Sequence, residues 1–146
     1  MKAKPVIFIT LVALGLALSS CKTYFIPVDS FKQQFAGLDQ NRRVHTKDPY
    51  GAIEAYETYP IDSIKCVDDK GTWYLLGNSP SIEIRFKEIS GRRTTFYFDR
   101  LIFGKTWVSG QRSHFFPSLT RTIQLDSVKL IEVQDGRKRY RYIKIE

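Results

Sequence analysis

From Ile82 to Lys87 the chain alternates strictly, Ile82, Ile84 and Phe86 being apolar and Glu83, Arg85 and Lys87 polar. A period of two is what a β-strand shows when one face is buried. Ser90-Gly91 then offers a turn, and residues 93–102 put Phe96 and Phe98 on one side and Tyr97 and Asp99 on the other, so 82–102 is predicted to be a hairpin. A second hairpin is predicted where Asp135-Gly136 separates β-rich runs at 123–133 and 138–145, because Gly accepts the positive φ of a type I′ turn. Gly71, Gly110 and the stretch from Gly77 to Pro80 mark further turns.

Residues 22–60 follow a different pattern. Phe31, Phe35 and Leu38 recur at helical spacing, Ser30 and Gln33 have capping-box spacing, and Gly37 stands near the end, which predicts a short helix over 31–37. The polar stretch 39–43 reads as a loop, Asp48-Pro49-Tyr50-Gly51 as a turn, and 52–59 as strand or helix, with strand preferred. Residues 61–68 (Ile-Asp-Ser-Ile-Lys-Cys-Val-Asp) are echoed at 125–132 (Leu-Asp-Ser-Val-Lys-Leu-Ile-Glu), each followed by a turn and an aromatic strand. In both, Asp-Ser can bond its own backbone and bend the chain into the strand. Eight residues are few, so two ordinary hairpins account for the echo more simply than duplication.

These elements predict a mainly β chain: one small antiparallel domain over 60–146, a barrel or a sandwich with the barrel preferred, after a lipidated N-terminus, tether and short helix over 21–59. About 126 residues suit one core of moderate size. Cys66 lies in the apolar pattern of Ile61, Ile64 and Val67 and is expected to be a small core residue.

The first twenty residues carry a basic start (Lys2, Lys4), an apolar run over 6–18 and small residues at 19 and 20. That is the layout of an export signal, and the run is shorter than the roughly 20 apolar residues of a spanning helix. Leu18-Ser19-Ser20-Cys21 resembles a bacterial lipobox. The resemblance implies cleavage after Ser20 and acylation of Cys21, which anchors the chain through two or three acyl chains. It leaves Cys66 as the sole cysteine of the mature chain, with no internal disulfide. By the same resemblance Lys22, where an aspartate would retain a lipoprotein in the inner membrane, implies delivery to the outer membrane. No acidic cluster follows Cys21, which favours the periplasmic side.

Without residues 1–20 the chain has 21 Lys and Arg against 15 Asp and Glu, a formal charge of +6. The charge is uneven: residues 22–84 hold seven basic and nine acidic side chains, residues 85–146 fourteen and six. A half of one sign attracts anionic partners. In an envelope these are lipid phosphates, acidic glycans or an acidic protein; nucleic acid is not expected. The segment Arg137-Lys138-Arg139-Tyr140-Arg141-Tyr142, read as a strand, sets Arg137, Arg139 and Arg141 on one face. Three guanidiniums there could grip phosphate or carboxylate, or could instead protect a sheet edge from aggregation.

Other chemistry is sparse. Gly104-Lys105-Thr106 lacks the first glycine of a phosphate-binding loop, since Asp99 stands there. His45 and His114 are the only histidines and have no metal-ligand spacing; Ser109-Gly110 lacks the preceding glycine of a nucleophile elbow. Asp68-Asp69 reads as a turn, and the aromatic clusters (Trp73-Tyr74, Phe96-Tyr97-Phe98, Trp107, Phe115-Phe116, Tyr140-Tyr142) mainly as core. No catalytic residue, metal or cofactor is expected.

The opening from Cys21 to Phe31, with Phe96-Tyr97-Phe98-Asp99 and residues 131–136, resembles small lipoproteins of Bacteroidetes. The resemblance implies an address and carries over no catalytic residues. The expectation is therefore a lipid-anchored, outer-membrane, non-catalytic accessory or binding module, its partners being the membrane and an anionic envelope component or a protein. A small envelope hydrolase with a dispersed Ser-His-Asp site is the alternative, which requires His45 or His114 in a pocket beside Ser or Asp.

Overall fold

The computed structural model describes residues 22–111 and 118–145. Cys21, His114, Phe115, Phe116 and the signal-like residues 1–20 lie outside them. Among the described residues the chain is mainly β, with antiparallel sheets and one α-helix.

The main sheet has six strands in the order β5-β4-β1-β11-β6-β7. They are β1 (Thr23–Phe25), β4 (Ser63–Val67), β5 (Trp73–Gly77), β6 (Ile82–Glu88), β7 (Arg93–Tyr97) and β11 (Val128–Asp135). β8 (Ile102–Phe103), β9 (Trp107–Gln111) and β10 (Thr120–Gln124) form a second sheet; β2 (Arg42–Lys47), β3 (Ile53–Thr58) and β12 (Arg141–Ile143) form a third, in the order β12-β2-β3. The preferred barrel is not formed by these ladders, because β5 and β7 are the unjoined edges of the main sheet.

One face of the main sheet is the core. Ile84 and Phe86 from β6, Ile131 and Val133 from β11, Phe96 from β7, and Ile64 and Cys66 from β4 are all at most 1% exposed. Helix α1 (Val28–Phe35) lays Phe31 and Phe35 on that face, with Phe31 5.5 Å from Phe86 and Phe35 5.2 Å from Phe103 between ring centroids. Each such ring stabilises the fold by roughly 1.5–3 kcal/mol through removal from water. Cys66 is thus the core residue its pattern predicts, and burial pushes its thiol pKa up. Phe96 and Phe98 share the core as predicted, whereas Trp73 and Tyr74 are partly exposed.

The helix starts three residues earlier than predicted. Pro27, with φ −55° and ψ 138°, is the N-cap and no side chain caps the end, so the Ser30/Gln33 capping box is not made. Ser30 instead accepts a hydrogen bond from Gln34 inside the helix. Gln34 has a second task. β1 meets β4 only at Phe25–Val67, which leaves Lys65 without a strand partner on that side. The Gln34 amide fills the place, its Oε1 accepting from the Lys65 N–H at 2.8 Å and its Nε2 donating to the Lys65 carbonyl at 3.0 Å.

Residues 22–59, expected as tether and helix ahead of the β domain, are built into it: β1 is interior to the main sheet and β2 and β3 make most of the third. Arg42 and Arg43, assigned to a loop, open β2, while the turn after Lys47 and the strand over 52–59 are found as predicted. The β6–β7 hairpin turns at Gly91 with φ 87°. β7 stops at Tyr97, however, and a 3-10 turn over Phe98–Arg100 carries Asp99 inward to 3% exposure. Gly110 is no turn; it lies buried in β9, where a Cβ would meet Leu101 at 2.8 Å.

The predicted second hairpin is absent. A 3-10 turn over Leu125–Ser127 divides 123–133 between two sheets, which is the bend anticipated at Asp126-Ser127. β11 then pairs with β1 and β6, and β12 pairs with β2. Gly136 has no positive φ; that conformation belongs to Arg137, at 48°. Gly136 is needed for close approach instead, since a Cβ there would lie 2.9 Å from the Ser81 carbonyl. The echoed segments flank β1 on opposite sides, but only the first continues into a hairpin, β4–β5.

Candidate anion-binding face

β2 alternates buried Val44 and Thr46 with the partly or fully exposed Arg43, His45 and Lys47. The turn that follows is built by Asp48, whose Oδ1 accepts from the backbone N–H groups of Tyr50 and Ala52, with Gly51 at φ 93°. β12 pairs on the other side of β2 and sets Arg141 opposite Lys47 and Ile143 opposite His45. Directly paired residues project to the same face. Arg43, His45, Lys47, Arg141 and Ile143 therefore share the outer surface, with Glu57 of β3 opposite Arg43.

Two open depressions flank this ladder. One, of about 580 Å³, is lined by Lys47, Tyr50, Arg139 and Arg141 and also by Asp48, whose Oδ1 is taken up by the turn N–H groups. The second, of about 480 Å³, is lined by Arg42, Arg43, His45, Tyr142 and Lys144 with neighbouring aliphatic residues.

Seven of the other described basic side chains are held in ion pairs. Arg85 and Arg93 pair with Glu132 within the main sheet, Arg121 of β10 with Glu88, and Lys138, after β11, with Glu83. Arg100 grips Glu54 through two hydrogen bonds of 2.9 and 2.7 Å, Arg42 meets Asp62 and Lys32 meets Asp126. Among the described residues Arg43, Lys47, Arg139, Arg141 and Lys144 make no ion pair with another described residue. Five cations without an ion pair among the described residues thus lie on and beside the β2–β12 ladder, and the others without one, such as Lys87, Arg92, Lys105 and Lys129, lie elsewhere on the chain.

Beneath this face lies a buried acid. Tyr56 of β3 donates its phenolic hydrogen bond to Asp99 Oδ2, and Tyr142 of β12 reaches the same oxygen at 3.4 Å. Thr58 donates to the Asp99 carbonyl at 2.8 Å, and the Arg100 guanidinium lies 3.9 Å from the centre of the Tyr56 ring. Asp99 Oδ1 is buried with no partner among the described residues. Burial pushes the Asp99 pKa up to about 6 against the opposing pull of Tyr56, Arg100 and Tyr142. Both phenols are pushed above their ordinary range, chiefly by burial and then by the Asp99 charge. Asp99 so fastens two of the three strands of the basic sheet to the rest of the domain.

No family model matches the chain, and no curated protein or solved structure matches it.

Of the predicted site residues, Arg139 and Arg141 come together on one depression. The single strand face expected to hold all three arginines is not formed: Arg137 has left-handed backbone, Arg139 lies in a bend and only Arg141 is in β12. Arg137 follows Asp135, whose Oδ1 accepts its backbone N–H at 2.9 Å, and it lines neither depression. The chain must cross from the main sheet to the edge of β2 between 135 and 141, and that crossing breaks the alternation. β12 is an edge strand, so Arg141 also stands where edge protection would be placed.

Sequence reading missed Arg43 and Lys47, which join the arginines through a pairing of segments nearly a hundred residues apart. Their alternation with Val44 and Thr46 was the available signal. Cys21 lies outside the described residues. His45 has arginine, lysine and aliphatic neighbours in its depression, with neither Ser nor Asp in the lining, and His114 lies outside the described residues. Asp68 caps the β4–β5 turn as expected, accepting from the backbone N–H groups of Thr72 and Lys70 at 2.9 Å each, and these bonds lower its pKa. Among the described residues no three of His, Cys, Asp and Glu gather as a metal site, and no helix is long and apolar enough to cross a membrane.

Proposed function

We propose that this chain is a bacterial envelope lipoprotein, acylated at Cys21 and held at the outer membrane on its periplasmic side. In this reading it is a non-catalytic binding module whose β2–β12 face takes an anionic envelope component bearing phosphate or carboxylate. The address rests on Leu18-Ser19-Ser20-Cys21 behind a basic, then apolar, start. The binding role rests on one observation: Lys47 and Arg141 are cross-strand neighbours, with Arg139 on the same depression, and none of the three makes an ion pair with another described residue. Like charges placed directly opposite destabilise a sheet. An anion between them removes that repulsion, and two guanidiniums can meet one phosphate or carboxylate by paired hydrogen bonds.

The test is titration of the detergent-solubilised full-length protein with a short-chain anionic phospholipid and with an acidic oligosaccharide. Binding should fall steeply with added salt, since exposed charges are screened over roughly 8 Å at physiological ionic strength. Replacing Arg139 and Arg141 by Glu should weaken it about tenfold or more, whereas Arg137→Glu should change it little. Equal binding by all three proteins would refute the reading and leave Arg141 as protection of a sheet edge.

A further inference from the structure

The chain enters β1 at Thr23, two residues after Cys21, and a residue spans at most about 3.6 Å. Thr23 is not free to lift away. It pairs with Gln134, Tyr24 pairs with Val133, and Phe25 pairs with Glu132 on one side and Val67 on the other. The attachment point at Cys21 is therefore separated from Thr23, the first residue of this interior strand, by at most about 7 Å of chain.

The same registers fix what surrounds that point. Running back from Phe25 towards Cys21, the chain passes the β4–β5 turn at 68–72 on one side and Asp135, Gly136 and Arg137 on the other. Trp73 is the first residue of β5 after the turn and is 49% exposed; Leu75, on the same face two residues on, is 73% exposed. On that face Lys65 stands over the Trp73 ring at 4.7 Å, whereas Lys22 stands over the rings of Tyr24 and Tyr74 at 5.0 and 4.4 Å on the opposite, core-side face. Lys70 and Arg137 are exposed at the same end. The acids there are Asp69, which is exposed, Asp68, turned into its own loop, and Asp135, which binds Ser81 and the Arg137 N–H. Charge is nearly balanced, and what sets Trp73 and Leu75 apart from the exposed apolar side chains elsewhere is that they lie two strands from the entry of the chain into β1.

We propose that the outer face of β5 at this end of the main sheet is a membrane-docking surface, with Trp73 and Leu75 in the interfacial layer of the bilayer and Lys65 and Lys70 among its headgroups. The inference rests on acylation of Cys21 and goes beyond it by fixing which surface faces the lipid. A tryptophan with nearby lysines suits the boundary between hydrocarbon and headgroup, where the ring is buried and the cation stays hydrated. A bilayer is the occupant that the short connection to Cys21 brings to this surface; a second copy pairing along the β5 edge is the competing one.

The test uses the full-length protein, labelled with a fatty-acid analogue and reconstituted into vesicles of zwitterionic and anionic phospholipid, part of it brominated near the carbonyl end of its acyl chains. Trp73 and Trp107 are the only tryptophans. In Trp107→Phe the remaining Trp73 emission should drop about twofold or more on brominated lipid, and in Trp73→Phe the Trp107 emission should barely change. Should Trp107→Phe not fold, the same quantity is the quenching lost between wild type and Trp73→Phe. Label incorporation without quenching of Trp73 overturns the docking surface and leaves acylation standing; absence of label overturns both. Unquenched Trp73 together with cross-linking of chains through β5 overturns it in favour of a second copy.

Discussion

Tyr56 and Asp99 lie on different elements, a strand of the basic sheet and the 3-10 turn after β7, and share a hydrogen bond at the junction between them. The carboxylate is 3% exposed and its second oxygen has no partner among the described residues. Burial favours the protonated acid, while Tyr56, Tyr142 and Arg100 favour the charged one, and burial prevails.

This junction predicts a pH dependence. The Asp99 pKa rises from 3.8 to about 6 on folding, so its contribution to stability is fully present below pH 4 and is lost as pH rises towards and through 6. Over that window the difference in stability between wild type and Asp99→Asn should change by about 3 kcal/mol, since Asn can accept from Tyr56 but cannot ionise. Denaturant unfolding at pH 4, 5, 6 and 7 measures it. A constant difference would show that Asp99 keeps one charge state throughout.

Gly136→Ala should destabilise the domain by about 1–3 kcal/mol, because its Cβ would press on the Ser81 backbone carbonyl and force β11 away from β6. At Arg137, by contrast, Arg137→Gly relieves left-handed backbone and should leave the melting temperature unchanged or slightly higher. Thermal melts of the two variants separate the close-approach account from the type I′ turn that Asp135-Gly136 suggests.

Gln34→Ala removes both partners of the Lys65 peptide and should cost about 1–2 kcal/mol. Gln34→Glu keeps the acceptor and loses the donor, so it should fall between Ala and wild type. Amide exchange at Lys65 should quicken in both variants, which a loss confined to helix propensity would not produce.

Cys21→Ala should abolish fatty-acid labelling and release the protein from membranes while preserving its melting temperature, since the strand sequence from Thr23 onward is unchanged. Metabolic labelling and membrane fractionation read the two effects separately. A variant that still pellets, from a wild type that takes up no label, would refute the lipobox reading.

The elements that depend on near neighbours were legible in the residues. Alternation at 82–87 marks β6, Ser90-Gly91 and Asp48-Pro49-Tyr50-Gly51 mark turns, the apolar surroundings of Cys66 mark a core position, and the mainly β class follows. Each rests on a period or a backbone preference expressed within a few residues. Strand partnership does not. The run from Ile123 to Ile145 reads as two arms of a hairpin, yet β11 lies between β1 and β6, where both sides of its ladder are satisfied and Ile131 and Val133 are removed from water. Long-range burial and ladder completion outweigh the local turn preference of Asp-Gly. The same choice carries the chain out of the sheet at Gly136, separates Arg137 from Arg139 and Arg141, and brings Arg141 to Lys47. Asp99 was placed outward because alternation was extended past Tyr97, where the 3-10 turn resets it. The basic face and the acid beneath it are products of pairing between distant segments, and side-chain spacing along a chain contains no term for which distant strand will lie alongside.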